Sequence, residues 1–114
     1  MDKVALLELL RSHLDGVLAV YAFGSRIQGT ADERSDLDLA VLVQGYADPL
    51  KLWQLAGESA DIAGCPVDLL DLRRASTVMQ QQVLTKGERW WAALGNEAGL
   101  FECAVLSDKL ELDR

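Results

Sequence analysis

Residues 17–43 read VLAVYAFGSRIQGTADERSDLDLAVLV and contain two strand-like stretches separated by a polar connection. The run 17–23 is entirely apolar and lies between two glycines, and its length and its Val, Tyr and Phe content predict a buried central strand. From Asp36 onward, apolar residues recur at every second position, which is the period of a β-strand. We therefore expect two neighbouring strands, antiparallel to each other, with a short helix or a turn at the start of the connection.

Helical and strand patterns continue on both sides of this segment. Apolar residues at helical spacing predict a helix over residues 2–14, and Asp48 followed by Pro49 predicts the start of a helix that ends at Gly64. The remaining expected elements are a strand over 66–72, a helix over 76–84, a short edge strand or loop over 87–92, and a closing helix over 96–112. This order predicts an α/β (α+β) fold in one domain, residues 1–114, with a small mixed sheet covered on one side by helices.

The charge and the rare residue types exclude several classes of function. The formal net charge is -7, which disfavours general electrostatic attachment to nucleic acid or anionic lipid and favours a bound cation or a basic partner. One His and 2 Cys do not supply the ligands of a zinc site. Charged residues interrupt the apolar pattern of the N-terminal segment, which therefore fits neither a signal peptide nor a membrane span. We expect a cytoplasmic protein.

A glycine turn and a pair of carboxylates lie at the two ends of the polar connection. Gly24 and Ser25 end the first strand, ten residues follow, and Asp36 and Asp38 begin the second strand on one of its faces. Glycine lets the backbone approach a ligand closely, and the first amides of a helix at Ser25 would favour a phosphate. Two carboxylates this close repel each other by roughly 2 to 4 kcal/mol, which a cation would relieve. Hard oxygen ligands point to magnesium or manganese, so the pattern predicts a metal–nucleotide site.

A third carboxylate is expected from the next strand. Asp68 and Asp71 are three residues apart, so they face opposite sides of that strand and only one can join the pair. If Asp68 joins it, Val67 and Leu69 enter the core and Asp71 falls at the fraying end. If Asp71 joins it, Asp68 becomes a charge within the core, which costs several kcal/mol unless it is paired. We favour Asp68.

Together these motifs resemble those of a known family. The stretch GSRIQGTADERSDLDLAVLV, followed later by VDLLDL, is similar to the minimal nucleotidyltransferases of the DNA polymerase β superfamily. Their mark is Gly-Ser, a spacer and Asp-x-Asp, with a third Asp on a later strand. The likeness in element order covers nearly the whole chain and implies the polymerase β palm-like fold. Within that group the chain looks most similar to the MntA-type antitoxins, which are encoded beside HEPN-domain ribonuclease toxins.

The resemblance implies a role for each residue of the motif. Gly24 and Ser25 would contact the β and γ phosphates of ATP, Asp36 and Asp38 would hold two magnesium ions, and Asp68 would complete the metal site near the incoming hydroxyl. Arg26 is available for the triphosphate. At position 28 many relatives carry an arginine where this chain has Gln28, which implies a weaker hold on phosphate.

The activity that the resemblance implies is transfer of AMP from ATP to a tyrosine hydroxyl of a cognate HEPN toxin, which neutralises that toxin. A chain of 114 residues leaves little room for a second domain that binds a small acceptor, so the partner would supply the acceptor. The expected partners are the toxin and ATP, with no direct nucleic acid and no membrane, in a homodimer or a hetero-oligomer with the toxin. Two alternatives stay open: an antitoxin that blocks the toxin by binding alone, and a small-molecule adenylyltransferase.

Four further residues have ordinary interpretations. Trp90 and Trp91 are adjacent on the expected edge strand, so they should face opposite sides, with at most one in the core and the other covered by a different surface. Core packing is favoured over a partner interface. His13 lies at a polar position of the first helix and Arg34 lies in a run of alternating charge, so both are expected to be surface residues.

Overall fold

The computed structural model describes residues 1–29 and 35–112, and Arg34 lies outside them. The elements in chain order are α1 (Lys3–His13), β1 (Val17–Phe23), α2 (Ser25–Gln28), β2 (Leu37–Val43), α3 (Pro49–Ala63), β3 (Val67–Asp71), a 3-10 turn (Leu72–Arg74), α4 (Thr77–Lys86), β4 (Glu88–Ala92) and α5 (Glu97–Leu112). Each predicted helix and strand is present, with ends that differ by one or two residues. The open choice over 87–92 resolves as a strand, and the start of the polar connection is a short helix.

The described strands form one sheet in the order β3-β2-β1-β4. β1 is antiparallel to both β2 and β4, which confirms the predicted direction of the first pair, and β2 is parallel to β3. The parallel pair is joined by α3, as a crossover connection requires. Because of these directions, the C-terminal end of β1 meets the N-terminal ends of β2 and β3 at one end of the sheet.

Local capping fixes the helix that makes this crossover. The side chain of Asp48 accepts a hydrogen bond from the backbone N–H of Leu50 at 3.0 Å, and Pro49 occupies the first turn of α3. The helix ends at Gly64, whose φ of 74° is the left-handed conformation that glycine adopts at least cost. Both ends of α3 therefore lie where the sequence predicted them.

Helices cover both faces of the sheet, so the expectation of one covered side is wrong. One face packs against α1 and α3 around a cluster that includes Leu6, Leu10, Leu39, Val41 and Leu55. The other face packs against α4 and α5 around a cluster that includes Tyr21, Ala40, Leu42, Val83 and Ala98. The physical reason is that β2 is apolar on both faces beyond Asp38, so neither face can be left in water.

The tryptophan pair on β4 lies on one face of the sheet, which contradicts the expectation of opposite faces. Val20 pairs with Trp91 whereas Tyr21 pairs with Arg89, so the register shifts at a β-bulge. The bulge inserts Trp90 as an extra residue, and both indole rings pack against the α1 cluster. Both rings are partly buried there, so they contribute to the packing of this core cluster, and contact with a partner stays a prediction.

Cations from α1 cover the outer surfaces of these two rings. The ammonium of Lys3 lies 4.7 Å from the ring centroid of Trp90, and the guanidinium of Arg11 lies 4.3 Å from that of Trp91. Such cation–π contacts add to the packing of α1 on β4. Among the described residues, no helix has the length and apolar content needed to cross a membrane.

Candidate active site

The register of three strands brings the motif residues to one end of the sheet. The Cα of Phe23, the last residue of β1, pairs with that of Asp38 in β2. Asp38 in turn pairs with Asp68 in β3. Since Gly24 follows Phe23 directly, the glycine turn and two of the three predicted carboxylates lie together.

Gly24 packs directly against the Asp38 carboxylate. Its φ is 83°, in the left-handed region, and a Cβ placed on it would collide with Oδ2 of Asp38. No residue with a side chain fits here without displacing that carboxylate. Glycine is therefore required at this position for two reasons. The turn into α2 has a positive φ, and the close approach of the backbone to Asp38 leaves no room for a side chain.

Asp38 lies in an unfavourable electrostatic environment for an anion. Burial raises the pKa of its carboxyl group above the ordinary value, and the negative charges of Asp68 and Asp36 raise it further. The described residues offer Asp38 no hydrogen bond or ion pair that would offset this repulsion. Perturbation of this kind is typical of a site that holds a cation or performs acid–base chemistry.

The other two carboxylates are exposed. β2 begins at Leu37, one residue later than predicted, so Asp36 immediately precedes the strand. Asp68 lies on the edge strand β3. In the described part of the chain, no group of three His, Cys, Asp or Glu side chains stands in a geometry that would hold a metal ion. The donor set itself, three carboxylates beside a glycine turn, has the hard oxygen chemistry that suits Mg²⁺. Metal binding at this site would therefore require the three side chains to converge.

Arg26 makes a hydrogen bond that the sequence did not predict. Its Nε donates a hydrogen bond to the backbone oxygen of Ser35 at 2.8 Å, so the first turn of α2 is joined to the residue that precedes Asp36. Contact with a triphosphate was the expected role, and it stays a prediction. No signal in the sequence could have found this bond, since it spans the polar connection.

Asp71 was expected at a fraying strand end, and that expectation is wrong. It is 5% exposed and accepts hydrogen bonds from the backbone N–H groups of Ala47 at 2.8 Å and Arg73 at 3.1 Å. Oδ2, the oxygen that accepts from Ala47, also lies 3.5 Å from Nε of Arg74. This carboxylate caps the 3-10 turn and anchors the loop after β2, so it is structural. The preference for Asp68 over Asp71 agrees with this arrangement.

A second, partly buried network ties α5 to the sheet face that carries Asp38. The hydroxyl of Tyr21 donates a hydrogen bond to Oε1 of Glu102 at 2.6 Å, and the guanidinium of Arg89 approaches the same oxygen at 3.2 Å. Burial, together with the Glu102 carboxylate, raises the pKa of the Tyr21 hydroxyl. The phenol is therefore held protonated as a structural donor.

His13, in contrast, is exposed at the end of α1, as expected.

Comparison with known proteins places this geometry in a family. Residues 5–91 match the family described as Polymerase beta, Nucleotidyltransferase. Over 91 residues the chain is 43% identical to the Protein adenylyltransferase MntA of Shewanella oneidensis, an alignment that covers 80% of this chain and 66% of that relative. The aligned part thus spans just under two thirds of the relative's length.

Solved structures agree with this placement. A chain in the crystal structure of a toxin–antitoxin with AMP-PNP has a TM-score of 0.87 and 37% identity, with 98% of this chain and 90% of that chain covered. A chain in the structure of a tri-AMPylated Shewanella oneidensis HEPN toxin in complex with MNT antitoxin has a TM-score of 0.78 and 34% identity, with 96% and 84% covered. The resemblance inferred from the Gly-Ser and Asp-x-Asp motifs is confirmed. This chain belongs to the polymerase beta nucleotidyltransferase family.

Proposed function

We propose that this chain is a magnesium-dependent adenylyltransferase that acts as an antitoxin. It transfers AMP from ATP to a tyrosine hydroxyl of a cognate HEPN ribonuclease toxin in the cytoplasm, and residues 1–114 act as one domain. The identity of 43% with MntA and the likeness to chains in toxin–antitoxin structures support this function. The observation that carries it is the meeting of Gly24, Asp38 and Asp68 at one end of the sheet.

The acidic side chains would hold the metal. Asp38 is the central ligand in this proposal, with Asp36 and Asp68 on either side, and the repulsion that raises the pKa of Asp38 supports a cation between them. When bound, two magnesium ions would supply charge neutralisation at the pyrophosphate and a lowered pKa of the acceptor hydroxyl. ATP is the co-substrate in this proposal.

The chain's own residues position the reactants. Gly24 lets the backbone at the start of α2 approach the triphosphate, with Ser25 beside it. Arg26 holds Ser35, the residue before Asp36, so that Asp36 stays near Asp38. The acceptor hydroxyl forms a new bond to the α phosphorus of ATP while the bond from that phosphorus to the β-phosphate oxygen breaks. Pyrophosphate leaves, and we assign the hydroxyl proton to the exposed carboxylate of Asp68.

A partner protein supplies the acceptor in this proposal. Asp36 and Asp68 are exposed, so the proposed site opens directly to the surface at the end of the sheet. The formal net charge of -7 favours a basic surface on the partner. Neither feature calls for nucleic acid or a membrane.

The test is incubation of the chain with the partner toxin, isotopically labelled ATP and Mg²⁺, followed by intact-mass measurement of the toxin. We expect a mass increase equal to one or more AMP groups and release of pyrophosphate. The combined substitution of Asp36→Asn and Asp38→Asn should abolish the adduct. The matched control is Asp15→Asn, which removes an exposed carboxylate at the other end of the sheet. If the wild-type chain adds no AMP, or the double variant still does, the proposal fails.

A binding-only antitoxin is the second candidate function. One observation favours it: in the described residues the three carboxylates are not gathered as metal ligands. Stoichiometry separates the two functions, because a blocker needs about one copy for each toxin and no ATP, whereas a transferase acts at substoichiometric amounts. Toxin activity measured over a range of antitoxin ratios, with and without ATP, decides between them.

A further inference from the structure

α4 ends at Lys86, an exposed residue that belongs to neither the glycine turn nor the carboxylate motifs. We propose that the Lys86 ammonium binds the triphosphate of ATP and neutralises the charge that develops on the departing pyrophosphate. The inference rests on the proposed function and deepens it, because it assigns a further catalytic residue to the same reaction. Three features of Lys86 support this role: its position along the sheet, the face on which it lies, and a side chain that pairs with no other described residue.

The packing of Gly87 fixes the position of Lys86 along the sheet. A Cβ placed on Gly87 would lie 2.6 Å from the carbonyl oxygen of Ala22 and 3.2 Å from Cβ of Phe23. Phe23 is the last residue of β1, and its Cα pairs with that of Asp38. Lys86, which directly precedes Gly87, therefore lies at the same end of the sheet as the glycine turn and the Asp38 carboxylate.

α4 covers the sheet face that carries the carboxylates. Strand alternation places Asp38 on the same face as Ala40, which packs in one cluster with Val83 of α4. Asp68 lies on this face too, because it pairs with Asp38 in parallel register. α1 and α3 pack on the opposite face. Lys86 and the carboxylates thus share one side of the sheet.

Helical spacing places Lys86 on the flank of α4 that faces β2. Leu84 lines the cavity between α4 and α5 together with Glu102, and a step of two residues along a helix is a rotation of about 200°, so Lys86 lies on the flank away from α5. Glu102 contacts Tyr21 of β1 and Arg89 of β4, so α5 covers those two strands. The flank of α4 away from α5 therefore faces β2, the neighbour of β1 on its other side. The flexible lysine stem can extend from there toward the carboxylate end of β2.

The Lys86 ammonium is available for an anion, because it makes no ion pair or ring contact with another described residue. Most other described cations are engaged: Lys3 and Arg11 with indole rings, Arg26 with Ser35, Arg73 with Val43, Arg74 with Asp71 and Arg89 with Glu102. Lys51 is exposed and has no partner among the described residues, but it lines a cavity with Val43 and Gln44 at the opposite end of the sheet. Of the described cations, Lys86 is therefore the one that the carboxylate end can offer to a ligand.

The proposed site needs positive charge beyond that of the metal ions. Three carboxylates and a fully ionised triphosphate carry more negative charge than two magnesium ions neutralise. α2 offsets little of it, since Arg26 donates to Ser35 and Gln28 is neutral. A lysine ammonium is a compact point charge that commonly binds phosphate, and Lys86 stays protonated throughout. The charge on pyrophosphate grows as its bond to the α phosphorus breaks, so a cation held there stabilises the transition state more than it stabilises bound ATP.

The test replaces the charged side chain with an apolar one of similar length. Lys86→Met removes the ammonium, and the matched control, Lys51→Met, makes the same change at the exposed lysine near the other end of the sheet. In calorimetric titrations without the partner protein, Lys86→Met should bind ATP with Mg²⁺ about tenfold more weakly than the wild-type chain, the loss expected for one charge-assisted hydrogen bond. Lys51→Met should bind as the wild-type chain does, and the thermal midpoint of both variants should stay unchanged.

Transfer kinetics separate a role in ATP chemistry from a role in docking the partner. Lys86→Met should lower kcat for AMP transfer about 100-fold, the effect typical of removing one donor that stabilises developing charge, and leave KM for the partner protein unchanged. Lys86→Arg keeps the charge and should retain more of the rate than Lys86→Met. Wild-type ATP binding by Lys86→Met, or an equal loss in Lys51→Met, would overturn the assignment of Lys86 and leave the proposed function intact. Absence of transfer by a wild-type chain that binds ATP would overturn the proposed function, and weaker ATP binding by Lys86→Met would then still support the contact with the triphosphate.

Discussion

The two ends of the parallel strand pair β2 and β3 differ in the interactions that their carboxylates make. At the N-terminal end, Asp38 and Asp68 lie side by side as like charges, and in the described residues neither has a cation or a hydrogen-bond donor as partner. At the C-terminal end, Asp71 is buried and both of its oxygens accept hydrogen bonds or an ion pair from within the chain. The two carboxylates on β3 are only three residues apart.

This difference distinguishes a carboxylate that stabilises the fold from carboxylates that indicate a binding site. A carboxylate whose partners come from its own chain stabilises the fold, and its loss leaves those partners unsatisfied. Carboxylates that repel one another reduce stability until a ligand neutralises them, so their presence indicates a binding site. The comparison predicts that removal of a carboxylate lowers the free energy of unfolding at the C-terminal end of the pair and raises it at the N-terminal end.

The largest expected effect is at the structural end. Asp71→Ala should lower the free energy of unfolding by about 2–4 kcal/mol, because it leaves the buried N–H of Ala47 and the partly buried N–H of Arg73 without an acceptor. Urea denaturation measures this loss, with Asp15→Ala as an exposed control. A loss no larger than about 0.5 kcal/mol, the usual range for surface substitutions, would contradict the structural role of Asp71.

Gly24→Ala is expected to damage both stability and transfer. The positive φ and the collision with Asp38 should together cost about 1–3 kcal/mol, and the displaced carboxylate should lower AMP transfer by about 100-fold. Gly64→Ala is the matched control, because Gly64 has a φ of 74° and open space around its added Cβ. Both variants should lose stability, but only Gly24→Ala should lose transfer. Equal kinetic losses would mean that the contact with Asp38 has no role.

Magnesium should stabilise the wild-type chain without ATP. At an ion concentration tenfold above Kd, mass action predicts about 1.4 kcal/mol of added stability. The combined substitution of Asp36→Asn and Asp38→Asn should remove this gain. Differential scanning calorimetry with and without Mg²⁺ measures it, and an equal rise in the double variant would place the ion elsewhere.

The smallest expected effect is a gain in stability. Without metal, Asp38→Asn should stabilise the chain at neutral pH by about 0.2–1 kcal/mol, the range for like charges opposite each other on paired strands. The pKa of Asp38 is raised in the folded state, so folding binds its proton more tightly and stability falls as pH rises through that raised pKa. The advantage of the variant should therefore grow with pH and vanish in acid. Denaturation curves over a pH series check this, and an advantage that shrinks as pH rises would refute the repulsion.

Local patterns in the sequence predicted most of the elements that position the candidate site. The apolar run before Gly24 and the alternation after Asp36 predicted β1 and β2, because burial and period are local properties of a strand. Opposite facing meant that only one of Asp68 and Asp71 could join the pair, and the cost of a mid-strand charge in the core favoured Asp68. Two covered faces were also within reach, since Ala40 and Leu42 continue the face that carries Asp38.

Long-range partners were not predictable in the same way. The bulge at Trp90 depends on how β4 pairs with β1, and a single strand does not specify that register. The burial of Asp71 depends on an N–H from the loop after β2, and the bond from Arg26 to Ser35 spans the polar connection. Each involves residues brought together only by the completed sheet.

The bulge in β4 and the charges on both edge strands bear on how the chain behaves at high concentration. Exposed strand edges recruit other chains into aggregates unless bulges or charges block the pairing. β4 carries the bulge and the exposed Glu88 and Arg89, and β3 carries the exposed Asp68. The carboxylate that completes the proposed metal site thus also protects an open sheet edge from self-association, so its removal should affect solubility as well as chemistry.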